Sequence, residues 1–284
     1  MRGGREDQSC SFPNHFQNVC FSGSDPGQAN GVVEGAGPKG GERRTRPKVV
    51  IIRGSGKIFC AGHDLKELAT LAWPSSSELP REPQEEVEKL FRLCSEVMLG
   101  IYQSPLIFIA EVEGIATAAG CQLVSACDLA IASSQATFAT PGVNIGLFCT
   151  TPSVAIGRSV LRKHAMEMLL TGKPITAKTA LRIGLINRVV GMEEGEDLPS
   201  PSGRDAIGTV EEEVRKMARE IATKPGDVLS LGKRAFYEQM EKGEVSAAYE
   251  FAGGIMARNL VLPNAREGIR AFLEKRIPPN FDDS

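Results

Sequence analysis

The sequence lacks the features that mark disulfide-rich, zinc-binding and membrane proteins. Its seven cysteines form no CxxC pair or ladder, and their odd number fits reduced thiols in the core of an intracellular protein. No apolar run approaches the roughly 20 residues that a helix needs to cross a bilayer, and the first residues do not form the apolar segment of a signal peptide. The sequence therefore predicts no structural metal, no disulfide framework and no membrane span.

Charge of either sign is not in excess. The 33 basic and 35 acidic residues give a formal net charge of −2, which provides no overall electrostatic reason to expect nucleic acid or an anionic membrane as a partner. Any anion site must therefore be built locally. With 42% hydrophobic and 24% charged residues among 284, the composition is that of a globular protein with one large domain or two small ones.

The first 46 residues carry no apolar periodicity. They are rich in glycine, serine and asparagine, which predicts disorder. Glu6, Asp7 and Asp25 make them a poor mitochondrial presequence, because presequences avoid acids. We therefore divide the chain into a disordered or atypical N-terminal segment (1–46), a core (47–191), a surface loop (192–207) and a C-terminal helical region (208–284).

The apolar pattern after residue 46 predicts an α/β protein. Residues 49–52 are continuously β-branched, which is typical of a buried parallel strand. Residues 87–101 place apolar side chains at helical spacing, and Pro105 ends that helix. A second short apolar run follows at 106–112, so the order strand, helix, strand indicates a parallel sheet.

Helices are predicted for most of the remaining chain. Small residues at 114–120 indicate a loop. Residues 121–127 are predicted to form a short helix that leads to an apolar run at 129–131, and residues 185–190 are predicted to form a late strand. After an acidic loop at 193–203, an apolar stripe marks four helices at 211–222, 228–240, 245–259 and 265–275. Such a helical tail can cover a sheet or a neighbouring subunit.

Three motifs and the C-terminal segment resemble one known family. They are GSGKIFCAGHDLK at 54–66, GIATAAGCQL at 114–123, LTGKPITA at 170–177 and GIRAFLEKR at 268–276. In this order they resemble the enoyl-CoA hydratase/isomerase (crotonase) superfamily, over roughly residues 47–278. The resemblance implies an α/β fold with a crotonase-like ββα spiral core and a C-terminal helical oligomerisation region, assembled as a homotrimer or hexamer. It also implies a mitochondrial protein of fatty-acid metabolism that uses a coenzyme A thioester as substrate or ligand and no further cofactor.

The second motif has a physical role that does not depend on the family. The small residues Ala118, Ala119 and Gly120 just before a helix leave backbone N–H groups uncovered at its N-terminus, where negative charge is stabilised. The resemblance implies that the N–H groups of His63 and Ala119 form an oxyanion hole, which polarises the thioester carbonyl of an acyl-CoA. The alternative is that the glycines of these motifs only make tight turns.

The resemblance also implies residues that contact coenzyme A (CoA). Ala61, Asp64 and Leu65 are expected to lie along the bound CoA, with Asp64 and Leu65 at its adenine end through their backbones. Lys275 is expected to reach the phosphates of CoA bound to a neighbouring subunit, since lysine offers a mobile point charge. Other lysines of the motifs are further candidates, although most surface lysines bind no ligand.

Two positions depart from the hydratases of the family. Those enzymes carry glutamates that hold and activate the attacking water where this chain has Gln122 and Gly142. Neither residue can transfer a proton, and Thr150 is likewise neutral where dienoyl-CoA isomerases carry a further carboxylate. An oxyanion hole without these groups predicts weak hydratase activity at best.

Four other side chains could supply an acid, a base or a nucleophile. The family uses the backbone of the residue at His63, so a catalytic role for its imidazole is the less favoured interpretation. Glu111 and Glu113 on the second strand are predicted to be ion-paired or solvated. Cys149 is predicted to be a packing thiol, because no histidine neighbours it in the sequence.

Three functions stay open at this point. The first is an acyl-CoA-binding protein that stabilises a thioester enolate and lacks both hydratase glutamates. The second is a working enoyl-CoA hydratase or isomerase that uses an acid or base elsewhere. The third is a non-catalytic subunit of an oligomer, or a protein-interaction partner, for which no CoA binding is expected.

The segment before Pro47 is expected to be unusual for the family. Family members begin with a strand pair and a helix carrying an Asn-Ala-Leu segment, and nothing before Pro47 resembles these elements. Without them we expect an uncovered sheet edge, as in an alternative isoform or an incorrect gene model.

Overall fold

The structure, a computed structural model, describes residues 47–73, 82–191, 208–277 and 281, so the predicted N-terminal segment and the surface loop at 192–207 lie outside it. The strands in these residues are β1 Val49–Arg53, β2 Ile58–Cys60, β3 Ile107–Val112, β4 Ile115–Thr117, β5 Leu129–Ser133, β6 Thr137–Ala139, β7 Ile175–Thr176 and β8 Arg188–Val190. The helices are α1 Leu65–Ala72, α2 Glu85–Gln103, α3 Ala119–Ala126, α4 Thr150–Ser159, α5 Arg162–Thr171, α6 Ala177–Arg182, α7 Val210–Ala222, α8 Gly226–Met240, α9 Val245–Asn259 and α10 Pro263–Leu273, with a 3-10 helix at Pro141–Ile145.

The strands form two four-stranded sheets. The first has the order β1-β3-β5-β8 with all neighbours parallel, and the second has the order β2-β4-β6-β7 with only its last pair antiparallel. The pairs β1-β2, β3-β4 and β5-β6 each add one strand to each sheet, and helical structure follows every pair. The ββα spiral and the parallel sheet predicted from the sequence are therefore confirmed.

The second sheet is not predicted by the sequence pattern. Its strands are two or three residues long, which is too short for an alternating pattern to stand out from a loop. The expectation of a loop throughout 114–120 is wrong, because β4 lies inside it. A Cβ at Gly114 would lie 1.9 Å from the carbonyl oxygen of Lys57, so glycine is what allows β2 and β4 to approach each other.

Both faces of the first sheet are buried. Phe108 of β3 points into the main core, whereas its neighbour Ile109 packs against Val214 of α7 on the opposite face. Helix α7 begins with a capping box in which Thr209 and Glu212 each bind the other's backbone N–H through their side chains. Burial on both faces explains why these strands appear in the sequence as continuous apolar runs.

Strand β1 lies at an edge of the first sheet. Within the part of the chain that the structure describes, β1 pairs only with β3, in parallel register. The expected loss of an N-terminal strand pair concerns residues before Pro47, which lie outside the described residues.

The C-terminal helices agree with the predicted tail helices to within two residues at each end. Helices α8 to α10 and the residues that follow them expose many large apolar side chains. They include Phe236, Met240, Val245, Tyr249, Met256, Leu260, Val261, Phe272, Leu273 and Ile277. None of the helices in the described ranges combines the length and the apolar character that a bilayer crossing demands.

Candidate functional site

Two loops meet where β2 and β4 end. The two strands are parallel neighbours, with Cys60 paired to Ala116, so their carboxyl ends lie at the same edge of the second sheet. A Cβ at Gly62, whose φ is +90°, would lie 3.0 Å from the Cβ of Ala118 and 3.3 Å from the backbone nitrogen of Ala119. The glycine in the first loop therefore allows direct contact with the second loop.

The second loop turns sharply into α3. Ala118 has a φ of +52°, an uncommon conformation for alanine, and its N–H donates to the carbonyl oxygen of Ala139 at the end of β6. A Cβ at Gly120 would lie 2.1 Å from the carbonyl oxygen of Cys60, so only glycine fits there. These contacts hold the N-terminus of α3 against the β2–α1 loop.

Two backbone donors are left free at this junction. Ala119 is the first residue of α3, where N–H groups have no partner within the helix, and His63 lies in the loop before α1. Neither the N–H of His63 nor that of Ala119 has an acceptor among the described residues. Two free donors on touching loops can stabilise an oxygen that gains negative charge.

Gln122 lies one turn into α3, on roughly the same face as Ala119. Its backbone N–H donates to the carbonyl oxygen of Ala118, and only 5% of the residue is exposed. No partner in the described residues binds its side-chain amide. The amide can donate and accept hydrogen bonds here, but it cannot transfer a proton at neutral pH.

Gly142, where the sequence resemblance predicts the position of the second hydratase glutamate, is closely surrounded by other atoms. Gly142 lies in the 3-10 helix that follows β6, and its φ is outside the left-handed region. A Cβ at Gly142 would lie 2.8 Å from the carbonyl oxygen of Leu147 and 2.9 Å from Sγ of Cys149. A side chain at this position would therefore have to displace both atoms.

The side chains near Gly142 are polar but uncharged. Thr140 is fully buried, and its hydroxyl oxygen has no hydrogen-bond partner in the described part of the chain. Cys149 is half-buried at the start of α4 and interacts with Cys121, a thiol whose pKa burial raises to about 12. Thr150 is exposed. None of these side chains is a carboxylate.

The imidazole of His63 points toward α2. Its Nε2 lies 3.8 Å from Sγ of Cys94, and its ring meets the ring of Phe91 edge-on at a centroid distance of 5.4 Å. Burial lowers the pKa of His63, although the carboxylate of Glu67 acts in the opposite direction. Sequence reasoning assigns Cys94 and Phe91 only to the apolar face of a helix, and no motif distinguishes them.

Glu111 lies in β3 and Glu113 follows the end of that strand, and both lie outside this junction. Glu111 shares the α7 side of the first sheet with Ile109, and burial raises its pKa in spite of the nearby Arg53. Glu113 is exposed.

The remaining residues predicted to contact CoA lie in two places, at the start of α1 and after the end of α10. Asp64 caps α1, since its carboxylate accepts from the N–H of Lys66 at 2.7 Å and of Glu67 at 3.4 Å. Leu65 is exposed and Ala61 is partly buried beside Gly62. Lys275 follows α10, is exposed, and forms no ion pair within the described residues. No three His, Cys, Asp or Glu side chains in the described residues form a group that could hold a metal ion.

Comparison with known proteins identifies the family. A family model described as enoyl-CoA hydratase/isomerase matches residues 42–284. Mitochondrial enoyl-CoA hydratase domain-containing protein 3 of Danio rerio is 48% identical over 237 residues, which cover 83% of this chain and 73% of that protein. The crystal structure of the human protein of that name is 44% identical, with a TM-score of 0.67 over 81% of each chain. An enoyl-CoA hydratase structure from Mycobacterium smegmatis is 45% identical, with a TM-score of 0.68 over 82% of this chain and 81% of that one. The resemblance of the sequence motifs is confirmed, and this chain belongs to the enoyl-CoA hydratase/isomerase family.

Proposed function

We propose that this protein binds an acyl-CoA thioester and stabilises its enolate through the N–H groups of His63 and Ala119, without catalysing hydration. The observation that carries the proposal is the junction of the two loops, where the N–H groups of His63 and Ala119 have no acceptor among the described residues. The resemblance assigns the two hydratase glutamates to Gln122 and Gly142, which supports the absence of hydration. Donors fixed in advance by the backbone need no reorganisation when charge develops on the thioester oxygen.

Hydration needs more than this pair of donors. One group must accept a proton from water while another supplies a proton to the α-carbon, and these tasks suit carboxylates. The amide of Gln122 does not titrate near neutrality, and Gly142 has no side chain. The carbonyl oxygen of Leu147 and the thiol of Cys149 fill the space beside Gly142, so a water activated from that position is not expected.

The CoA portion would extend from the same junction. Ala61, Asp64 and Leu65 lie next to His63 in sequence, and their backbones can line the adenine end. Lys275 would contact the phosphates of CoA bound to a neighbouring subunit in a homotrimer or hexamer. We also propose a mitochondrial location, because five vertebrate proteins that are 42–48% identical to this chain over 231–237 residues are named mitochondrial.

A working hydratase is the second candidate. It is favoured by the similarity to proteins named enoyl-CoA hydratase, including the one from Mycobacterium smegmatis. Hydration of crotonyl-CoA by the purified protein separates the two candidates, because the proposal predicts negligible turnover together with binding.

The test of the donor pair is the carbonyl stretch of an acyl-CoA labelled with ¹³C at the thioester carbon. Binding is expected to lower this frequency, as hydrogen bonds polarise the carbonyl. Replacing the Ala119 amide by an ester, with L-lactic acid in place of alanine, removes one donor and keeps the side chain, so this variant should lose part of the shift. The same ester replacement at Arg162, the exposed first residue of α5, is the matched control. Absence of CoA binding, or binding without a shift, would contradict the proposal.

A further inference from the structure

The β2–α1 loop has one side chain that anchors it to α2. His63 lies between Gly62, which adopts a left-handed φ of +90°, and Asp64, which caps α1. Its imidazole contacts Cys94 at 3.8 Å and the ring edge of Phe91. Cys94 and Phe91 are three residues apart on α2, so they lie on one face and hold the imidazole together.

The chemistry of this contact is that of a neutral hydrogen bond. Cys94 is only 2% exposed, and burial raises the pKa of its thiol to about 11. Burial also lowers the pKa of His63, which favours the uncharged ring. Both shifts oppose the thiolate–imidazolium pair that a cysteine nucleophile needs, so the pair is not a nucleophile with its base.

The contact of the His63 imidazole with α2 affects the candidate oxyanion hole through the backbone of His63. The N–H donor of His63 belongs to the peptide plane between Gly62 and His63, whose tilt depends on ψ of Gly62 and φ of His63. Glycine leaves its own torsions weakly restricted, so this plane is not fixed from the Gly62 side. An imidazole held on α2 restricts the His63 side, and with it the direction of the N–H.

We propose that Cys94 and Phe91 are positioning residues, which hold the imidazole of His63 and thereby direct its N–H toward the thioester oxygen. This inference rests on the proposed function. The residues act through His63 and do not touch the ligand themselves. Helix α2 then forms an outer support for a site whose donors are supplied by the β2–α1 loop and α3.

Cys94→Val tests the positioning role, because valine fills a similar volume and removes the hydrogen bond. Without this contact the N–H of His63 points at the thioester oxygen less often, so acyl-CoA binding should weaken by up to roughly fivefold, which corresponds to about 1 kcal/mol. The labelled carbonyl should shift less in this variant, whereas CoA without an acyl group should bind as before. Cys94→Ser retains a hydroxyl donor and acceptor and should recover most of the shift. Cys127→Ala, which removes another buried thiol at the far end of α3, is the matched control.

The outcomes separate this inference from the proposed function. If the unmodified protein shifts the carbonyl and Cys94→Val shifts it equally, the positioning role is wrong and the proposed function stands. An equal loss in Cys127→Ala would also overturn it, since a general weakening of the core would then explain the effect. If Cys94→Val does not fold, Phe91→Leu removes the ring contact and must reduce the shift. A missing shift in the unmodified protein would overturn both proposals.

Discussion

At the scale of single residues, Gly142 shows what sequence comparison misses. That Gln122 and Gly142 stand where the hydratases of the family carry glutamates stays a prediction. The sequence does not predict that a backbone oxygen and the thiol of Cys149 lie beside Gly142, because that depends on how the 3-10 helix folds back. Leu147 N–H donates to the carbonyl oxygen of Gly142 at 2.9 Å, and this closes the turn that brings both atoms there.

Restoring both glutamates should therefore be insufficient for hydration. Gln122→Glu with Gly142→Glu is expected to give little crotonyl-CoA hydration, because the new side chain at 142 meets Cys149. Adding Cys149→Ala removes the side-chain obstacle but leaves the backbone carbonyl oxygen of Leu147 in place, so the triple variant should hydrate faster than the double variant by less than the roughly 10²-fold that a positioned acid–base group contributes. Initial rates measure this, with Cys149→Ala alone as the control. Equal rates for the double and triple variants would show that Cys149 is no obstacle.

Glu111 gives a prediction for stability. Its pKa in the folded protein is raised above 4.5 by burial first, with Glu211 and Glu113 adding to the effect. The carboxyl of Glu111 therefore binds its proton more tightly in the folded state than in the unfolded state. Protonated Glu111 contributes to the free energy of unfolding below pH 4.5, and this contribution is lost as the pH rises through the folded pKa. Glu111→Gln should raise the melting temperature at pH 7, and the gain should vanish near pH 4. Glu96→Gln, at an exposed site of α2, is the control. A lower melting temperature at pH 7 would mean that attraction to Arg53 outweighs burial.

At the scale of elements, the long helices are easier to predict from the sequence than the short strands of the second sheet. Helices α2, α7 and α9 are 13 to 19 residues long, and their apolar stripes repeat often enough to be recognised. Helix α1 and the strands of the second sheet are not predicted, because eight residues or fewer in glycine-rich sequence carry too little pattern. These short elements nevertheless create the candidate site, since β2 and β4 bring its two loops together.

Helix α8 is fixed to the core by one buried cation. Nζ of Lys233 donates to Oδ2 of Asp128 at 2.7 Å and to the carbonyl oxygens of Ile101 and Leu106. The same carboxylate accepts from the hydroxyl of Tyr237 at 2.8 Å. The sequence gives no indication of this network, because a lysine within an amphipathic helix normally lies in solvent.

Lys233→Met should destabilise the protein strongly. The variant leaves the buried carboxylate of Asp128 without its cation, and breaking such a pair costs about 3–5 kcal/mol. Urea unfolding followed by circular dichroism measures the loss. Lys242→Met, just after the end of α8, is the matched control. The ion pair of Lys242 with Glu238 is partly exposed and 4.0 Å long, so it should contribute about 1 kcal/mol or less to stability. Similar losses in both variants would show that the buried network has no special role.

At the scale of the whole molecule, the C-terminal helices expose more apolar surface than a single chain explains. Phe272, Leu273 and Ile277 are each more than 70% exposed, and they surround Lys275 at the end of α10. Contiguous exposed apolar residues of this kind mark an interaction surface. The homotrimer or hexamer stays a prediction, and these residues are where its interface is expected.

Lys275 links the predicted assembly to ligand binding. Its ammonium has no ion pair within the described residues. Lys275 lies in the exposed apolar segment at the end of α10, which is expected to contact a neighbouring subunit. Lys275→Ala should therefore weaken binding of CoA, with a smaller dependence on salt, because one screened attraction to the phosphates is lost. Binding of an acyl-pantetheine, which lacks the adenosine phosphates, should be unchanged. Calorimetry at two salt concentrations measures both, with Lys163→Ala at an exposed site of α5 as the control and light scattering to check the oligomer. An equal loss for both ligands, or a change in molecular mass, would assign Lys275 to assembly and not to the phosphates.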